Sequence, residues 1–198
     1  MDYRNLTEAQ LDALREVFNI GSGNAATSLS YLLNKKIDMG VPSIKIVRLQ
    51  DILESYLTEE VVAVLVKVLG EAPGNILYAF NKNVAKEISK TLIFNEDIFS
   101  EIGMSTVAEI GNIIASSYMN SIVSLTELKM MASVPAVTYD MFNSILVSTF
   151  IESGQYDEYI LDIETLFKGE NGCDIMGHFY YIPQPGSLEN ILKQLGMV

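Results

Sequence analysis

At 198 residues and 49% hydrophobic, with 10 Tyr and 8 Phe, the chain is long enough for one large domain or two small ones sharing a core, and too apolar to be disordered. Its 13 Lys+Arg against 25 Asp+Glu give a net charge of −12 with no basic patch, which argues against nucleic acid and anionic membranes as partners. The single cysteine, Cys173, leaves no internal disulfide and fits a reducing cytoplasm; it reads as a small buried hydrophobe. The first residues lack the basic-then-apolar pattern of a signal peptide, and the longest apolar run, 61–69, is broken by Lys67 and too short for a bilayer.

Thr7-Glu8-Ala9-Gln10 is a capping box that opens a helix running to about Asn34. Leu11, Leu14, Phe18, Gly21, Ala25, Leu29 and Leu32 recur every three or four residues as its expected buried face. Asp12, Glu16, Asn19 and Gly23 fall in a narrow arc nearly opposite. Gly21 and Gly23 cost about 1 kcal/mol each against Ala. They either kink the helix locally or, at Gly23, keep the outer face low so that a partner can approach Asn19. Pro42 precedes a short strand at 43–47, and a helical turn is expected at 51–56. Strands at 61–68 and 75–80 flank a turn, Glu71-Ala72-Pro73-Gly74, and form a hairpin. An amphipathic helix follows at 83–93.

The pattern then returns. Ser105, Glu109, Asn112 and Pro135 repeat Asp12, Glu16, Asn19 and Pro42, and each of the four is displaced by 93 residues. A long helix at 105–125 is expected to bury Val107, Ile110, Ile114, Tyr118, Ile122 and Leu125. Strands are expected at 144–151 and 174–182, and a closing helix at 187–195. Residues 152–172 form a longer, more acidic connection where the halves differ most. Each half, about 6–94 and 99–198, thus reads as helix, strand, hairpin, helix. Neither has enough strands to bury a sheet alone. The expected fold is α+β: one internally duplicated, pseudo-two-fold domain with a six-stranded, mainly antiparallel sheet and two long motif helices packed on it.

Familiar catalytic sets are missing from the sequence. The one histidine, His178, lies in a strand pattern and reads as a satisfied core or surface residue. There is no nucleophile elbow, and Gly21 and Gly23 lie inside a helix, outside the strand-then-glycine context of a nucleotide loop. No spacing suits zinc or calcium. What remains is a glutamate and an asparagine one helical turn apart, displayed twice. A carboxamide is a poor base and nucleophile, but it can hold a water in line for attack on phosphorus without adding negative charge. The glutamate would anchor a partner's lysine or arginine. A single Glu-x-x-Asn is an ordinary surface feature. Two, each with Asp or Ser before and Pro after at fixed distances, are not.

The doubled motif, Asp/Ser-x3-Glu-x2-Asn-x22-Pro, resembles that of the CheC family of chemotaxis phosphatases, and the resemblance covers nearly the whole chain. It implies a cytoplasmic enzyme that hydrolyses the aspartyl phosphate of the response regulator CheY. Glu16, Asn19, Glu109 and Asn112 would be the working residues, and Asp12, Pro42, Ser105 and Pro135 would support them. No cofactor of its own is implied, because CheY would bring Mg²⁺. The resemblance also implies the receptor deamidase CheD as regulatory partner, with the chain a monomer or a heterodimer with CheD; residues 152–172 are the guess for a second binding surface. The alternative is a non-catalytic adaptor that binds phosphorylated CheY, CheD or both.

Overall fold

The computed structural model describes residues 3–55, 59–94, 97–154, 158–169 and 175–198. Tyr56, Cys173 and Asp174, together with parts of the 152–172 connection, lie outside them. Helix α1 spans Glu8–Leu33 and helix α4 spans Glu101–Thr126. Both are 26 residues long and displaced by the 93-residue step. Their ends are built alike. The Thr7 side chain accepts from the Gln10 N–H within a complete capping box, and the Ser100 side chain accepts from the Gly103 N–H. Both helices close on a left-handed residue, Asn34 and Glu127. α1 runs unbroken through Gly21 and Gly23.

Between and after these helices lie β1 (Ile37–Met39), β2 (Ser43–Arg48), α2 (Leu49–Ser55), β3 (Glu60–Gly70), β4 (Gly74–Asn81) and α3 (Lys82–Ile93), then β5 (Met130–Ala132), β6 (Ala136–Met141), α5 (Phe142–Glu152), β7 (Tyr159–Gly169), β8 (Ile175–Pro183) and α6 (Ser187–Gln194). The eight strand segments fill six positions, because β1 and β2 both pair with β7 while β5 and β6 both pair with β3. The order across the sheet is β1/β2, β7, β8, β4, β3, β5/β6, and every pairing is antiparallel. The hairpins meet at the centre, where Tyr78 on β4 faces Phe179 on β8. Each repeat's first strands therefore lie on the far edge of the other repeat's hairpin. Ile44 pairs with Ile163, and Val137 with Val64.

Two hydrophobic cores sandwich the sheet. One face carries Val62, Val64, Tyr78, Ile163, Phe179 and Tyr181, covered by α1, α4, α3 and α6. The other carries Ala63, Leu77, Ile160 and Tyr180, covered by α2 and α5. The motif helices are seated on an aromatic cluster at the sheet's centre. Tyr118 of α4 lies 4.2 Å from Phe179 and 5.8 Å from Phe18 of α1, centroid to centroid. Gly21 makes that seat possible. A Cβ there would stand 2.7 Å from the Tyr118 ring and 2.9 Å from the Tyr118 Cα, so α1 and α4 could not approach this closely with any larger residue.

Two sequence expectations fail in the second half. Residues 144–151 form not a strand but helix α5. Their β-branched and aromatic composition suggested a strand, yet Phe142, Ile145, Leu146, Thr149 and Phe150 are buried at spacings of three, one, three and one, which is helical. The missing hairpin strand is β7, within the acidic stretch expected to be a connection. Ile160, Leu161, Ile163, Thr165 and Phe167 are buried there while Glu164 and Lys168 stay exposed. Leu32 and Leu125, both expected in the core, are each 41% exposed, because Leu33 and Thr126, one residue on, take the buried position in the last turn.

Gly21→Ala is expected to destabilise the protein by ~1–3 kcal/mol despite alanine's better helix propensity, because the intruding methyl meets backbone as well as side chain. A chemical-denaturation midpoint equal to or above wild type would contradict the close packing. Burial also holds the Tyr78, Tyr118 and Tyr181 phenols well above their ordinary value of 10.0. Their folded value is raised, so the stability they contribute is present below pH 10 and is lost above it as the unfolded chain ionises. Tyrosinate absorbance should therefore rise in part with the exposed tyrosines and in part only with alkaline unfolding.

Candidate functional site on the paired helices

Glu16 and Glu109 are exposed, and Asn19 and Asn112, one turn later, are half-buried. The asparagines thus sit closer to the helix interface than the helical wheel suggests. The Asn19 Oδ1 is shielded from solvent and has no hydrogen-bond partner among the described residues. A buried acceptor left in this state costs ~1–3 kcal/mol, which calls for a reason. Neither Glu16 nor Glu109 forms an ion pair among the described residues, so both carboxylates are open to a cation from outside.

The first motif positions differ. Arg15 donates to Glu8 at 2.7 Å and to Asp12 at 2.5 Å, which ties Asp12 into a surface ion-pair network. These hydrogen bonds raise the Arg15 guanidinium above its ordinary value. The second copy has Ser105 for Asp12 and Ala108 for Arg15, so that network is not repeated. Pro42 and Pro135 do not form helix-to-strand turns. They split each edge strand, β1 from β2 and β5 from β6. A proline gives no ladder N–H, and Gly40 and Ser133 just before them donate instead to Leu166 and Lys67 carbonyls at 2.8 and 2.9 Å.

α1 and α4 run antiparallel. Gly21, near the middle of α1, touches Tyr118 and Ser121 of α4, whereas Leu32 in its last turn shares a groove with Ser105 and Glu109 in the first half of α4. The two motifs consequently lie toward opposite ends of one helical layer, each about 10 Å of helix rise before the mid-helix crossing. His178 is remote from both. It lies on the sheet face covered by α2 and α5, stacked on Tyr180, with its Nδ1 4.0 Å from Asp162. No three His, Cys, Asp or Glu side chains among the described residues are grouped to hold a metal, and no described helix is long and apolar enough to cross a membrane.

The model of the CheC-like family matches residues 10–46 and 102–139, the two stretches that carry the motifs. The CheY-P phosphatase CheC of Bacillus subtilis (strain 168) is 30% identical over 203 residues, 98% of this chain and 97% of that protein. The chain belongs to the CheC family. The flagellar motor switch phosphatase FliY of Bacillus subtilis is also 30% identical, over 67% of this chain but 36% of its own length. Among solved structures, Thermotoga maritima FliY shares the fold with a TM-score of 0.79 at 20% identity, covering 97% of this chain and 98% of that one. Borrelia burgdorferi CheX, solved in a CheX–CheY–BeF3–Mg²⁺ complex, shares it with a TM-score of 0.53 at 19% identity, covering 83% and 96%.

In this member of the CheC family the repeats have diverged unevenly. Buried pairs differ: Leu14 and Val107, Phe18 and Gly111, Ala25 and Tyr118. Pairs at the outer surface are more often identical: Glu16 and Glu109, Asn19 and Asn112, Leu32 and Leu125, Val41 and Val134. The sequence reading placed Leu32 and Leu125 in the core and gave Val41 and Val134 no role, although the 93-residue step marks both pairs. Gly23 is half-buried and has room, since an added Cβ would lie 3.8 Å from the Met39 sulfur. Packing therefore does not require glycine at 23 as it does at 21. Asn19→Ala and Gly23→Ala should each stabilise the protein by ~0.5–1 kcal/mol, the first by removing an unsatisfied acceptor and a weak helix former, the second by helix propensity. Denaturant titration of the two variants checks this; lower midpoints would mean that both residues serve stability.

Proposed function

We infer that this protein is a phosphatase that hydrolyses the aspartyl phosphate of the chemotaxis response regulator CheY. The observation that carries the reading is the pair of half-buried asparagines, each one turn beyond an exposed, unpaired glutamate, in a chain that matches a CheY-P phosphatase over nearly its whole length. Glu16 or Glu109 pairs with a basic group of the regulator and fixes its register on the helix. Asn19 or Asn112 then enters the regulator's phosphorylation site. Its amide holds a water in line with the phosphorus, the acceptor oxygen taking a hydrogen bond from the water. The regulator supplies the phosphoaspartate and Mg²⁺, so positioning and electrostatics are the whole task of this chain. The solved complex of CheX with CheY, BeF3 and Mg²⁺, on a related fold, supports CheY as the partner. CheD is retained as a proposed regulatory partner, in keeping with the family.

Phosphate release from phosphorylated CheY with Mg²⁺ tests the mechanism. Asn19→Ala and Asn112→Ala are each expected to keep part of the activity, and the double variant to lose about 100-fold or more of the acceleration over the regulator alone. Full activity in the double variant would refute the role of the amides. Unchanged binding of phosphorylated CheY without any turnover by wild type would favour the adaptor reading.

A further inference from the structure

Leu32 and Leu125 are the apolar residues that the fold leaves in an unexpected place. Each lies in the last turn of its helix beside a buried neighbour, Leu33 or Thr126, each is 41% exposed, and they occupy the same position in the two repeats. Neither completes the core, whose paired positions have drifted freely. Leu32 lies in an open groove of about 640 Å³ between α1, α3 and α4, lined also by Leu92, Ile93, Ile102, Ser105 and Glu109. The groove is apolar at its base, and the motif residues Ser105 and Glu109 form its rim.

We propose that each phosphatase site is completed across the helix pair: Leu32 of the first repeat is a docking residue for the second site, and Leu125 of the second repeat is one for the first. The antiparallel crossing dictates this exchange, since it brings the last turn of one helix beside the first turns of the other. Leu32 stands against Ser105 and Glu109, and the 93-residue step predicts the same relation of Leu125 to Asp12 and Glu16. The occupant is the response regulator itself, which must cover this ground when it takes the neighbouring Glu and Asn, and which therefore presents an apolar side chain beside its basic anchor. This assignment rests on the phosphatase reading above. The second site has the deeper apolar contact, because Ile102 and Thr106 stand where the first has Ala9 and Ala13.

The test uses single-site proteins. Asn19→Ala leaves only the second site and Asn112→Ala only the first, and Leu32→Ser or Leu125→Ser is added to each. Steady-state hydrolysis of phosphorylated CheY and titration with CheY loaded with BeF3 and Mg²⁺ are both measured, with circular dichroism confirming the fold. Leu32→Ser should raise KM and the binding constant by about five- to tenfold in the Asn19→Ala background, with kcat nearly unchanged, and should have little effect in the Asn112→Ala background. Leu125→Ser should do the reverse. A KM rise in the same repeat as the substitution, or no rise in either background, overturns the exchange while leaving the asparagine mechanism intact. Loss of the phosphatase reading would show separately, as undiminished activity when both asparagines are replaced. Should either serine variant unfold, Leu32→Gln and Leu125→Gln, which keep the bulk and remove the apolar end, must show the same crossed rise in KM for the proposal to stand.

Discussion

Neither repeat of this protein can finish its own sheet, and that constraint governs the rest of the structure. The edge segments β1 and β2 hydrogen-bond to β7 of the other repeat, and β5 and β6 to β3. The exchange locks the repeats into one unit with the hairpins β3–β4 and β7–β8 back to back at the centre. It also fixes where each long helix starts and stops, because a helix and the edge strand after it are joined by only a few residues. The motif helices are thereby brought together antiparallel over the central strands, where the Phe18, Tyr118 and Phe179 rings fill the junction.

A duplicated chain whose halves share one sheet and the cores on its two faces need not keep its halves alike. Gly21 faces Tyr118 across the helix pair, while their repeat counterparts are Ile114 and Ala25. In both pairs α1 supplies the small residue and α4 the large one, and the summed volume is similar, which is the kind of adjustment that close-packed interiors tolerate. Exposed positions face no such mutual adjustment. The identity of Glu16 with Glu109, half-buried Asn19 with Asn112, and Leu32 with Leu125 is not required by packing of the core.

Much of this was legible from the residues alone. The Thr7 capping box and the apolar spacing after it specify the first long helix, and the apolar spacing from Val107 specifies the second, whose observed start at Glu101 behind the Ser100 cap precedes the expected 105. The motif step reveals the duplication. The two misreadings have one cause. In α5 and β7 burial is nearly continuous on one side and interrupted by few charges, so composition competes with periodicity. Ile145, Leu146, Val147 and Phe150 look like a strand by residue type, while Asp162 and Glu164 make a central strand look like a loop. The half-burial of Asn19 escaped for a different reason. A helical wheel ranks faces of an isolated helix, whereas the depth of a residue at the edge of the polar arc depends on how a second helix crosses it.

That depth bears on the chemistry. An amide fully in solvent would have its acceptor satisfied by bulk water at random orientations, and it would have to shed those waters at each encounter. The half-buried Asn19 keeps a bare Oδ1 on α1. In the proposed phosphatase mechanism its desolvation cost would be borne by the folded state instead of being met in each reaction cycle. Asn19 and Gly23, adjacent along the same outer face, both spend helix stability where packing asks for neither residue. A helix selected for stability alone would carry alanine at both. The stability needed to carry them comes from the aromatic junction that seats both helices on the sheet.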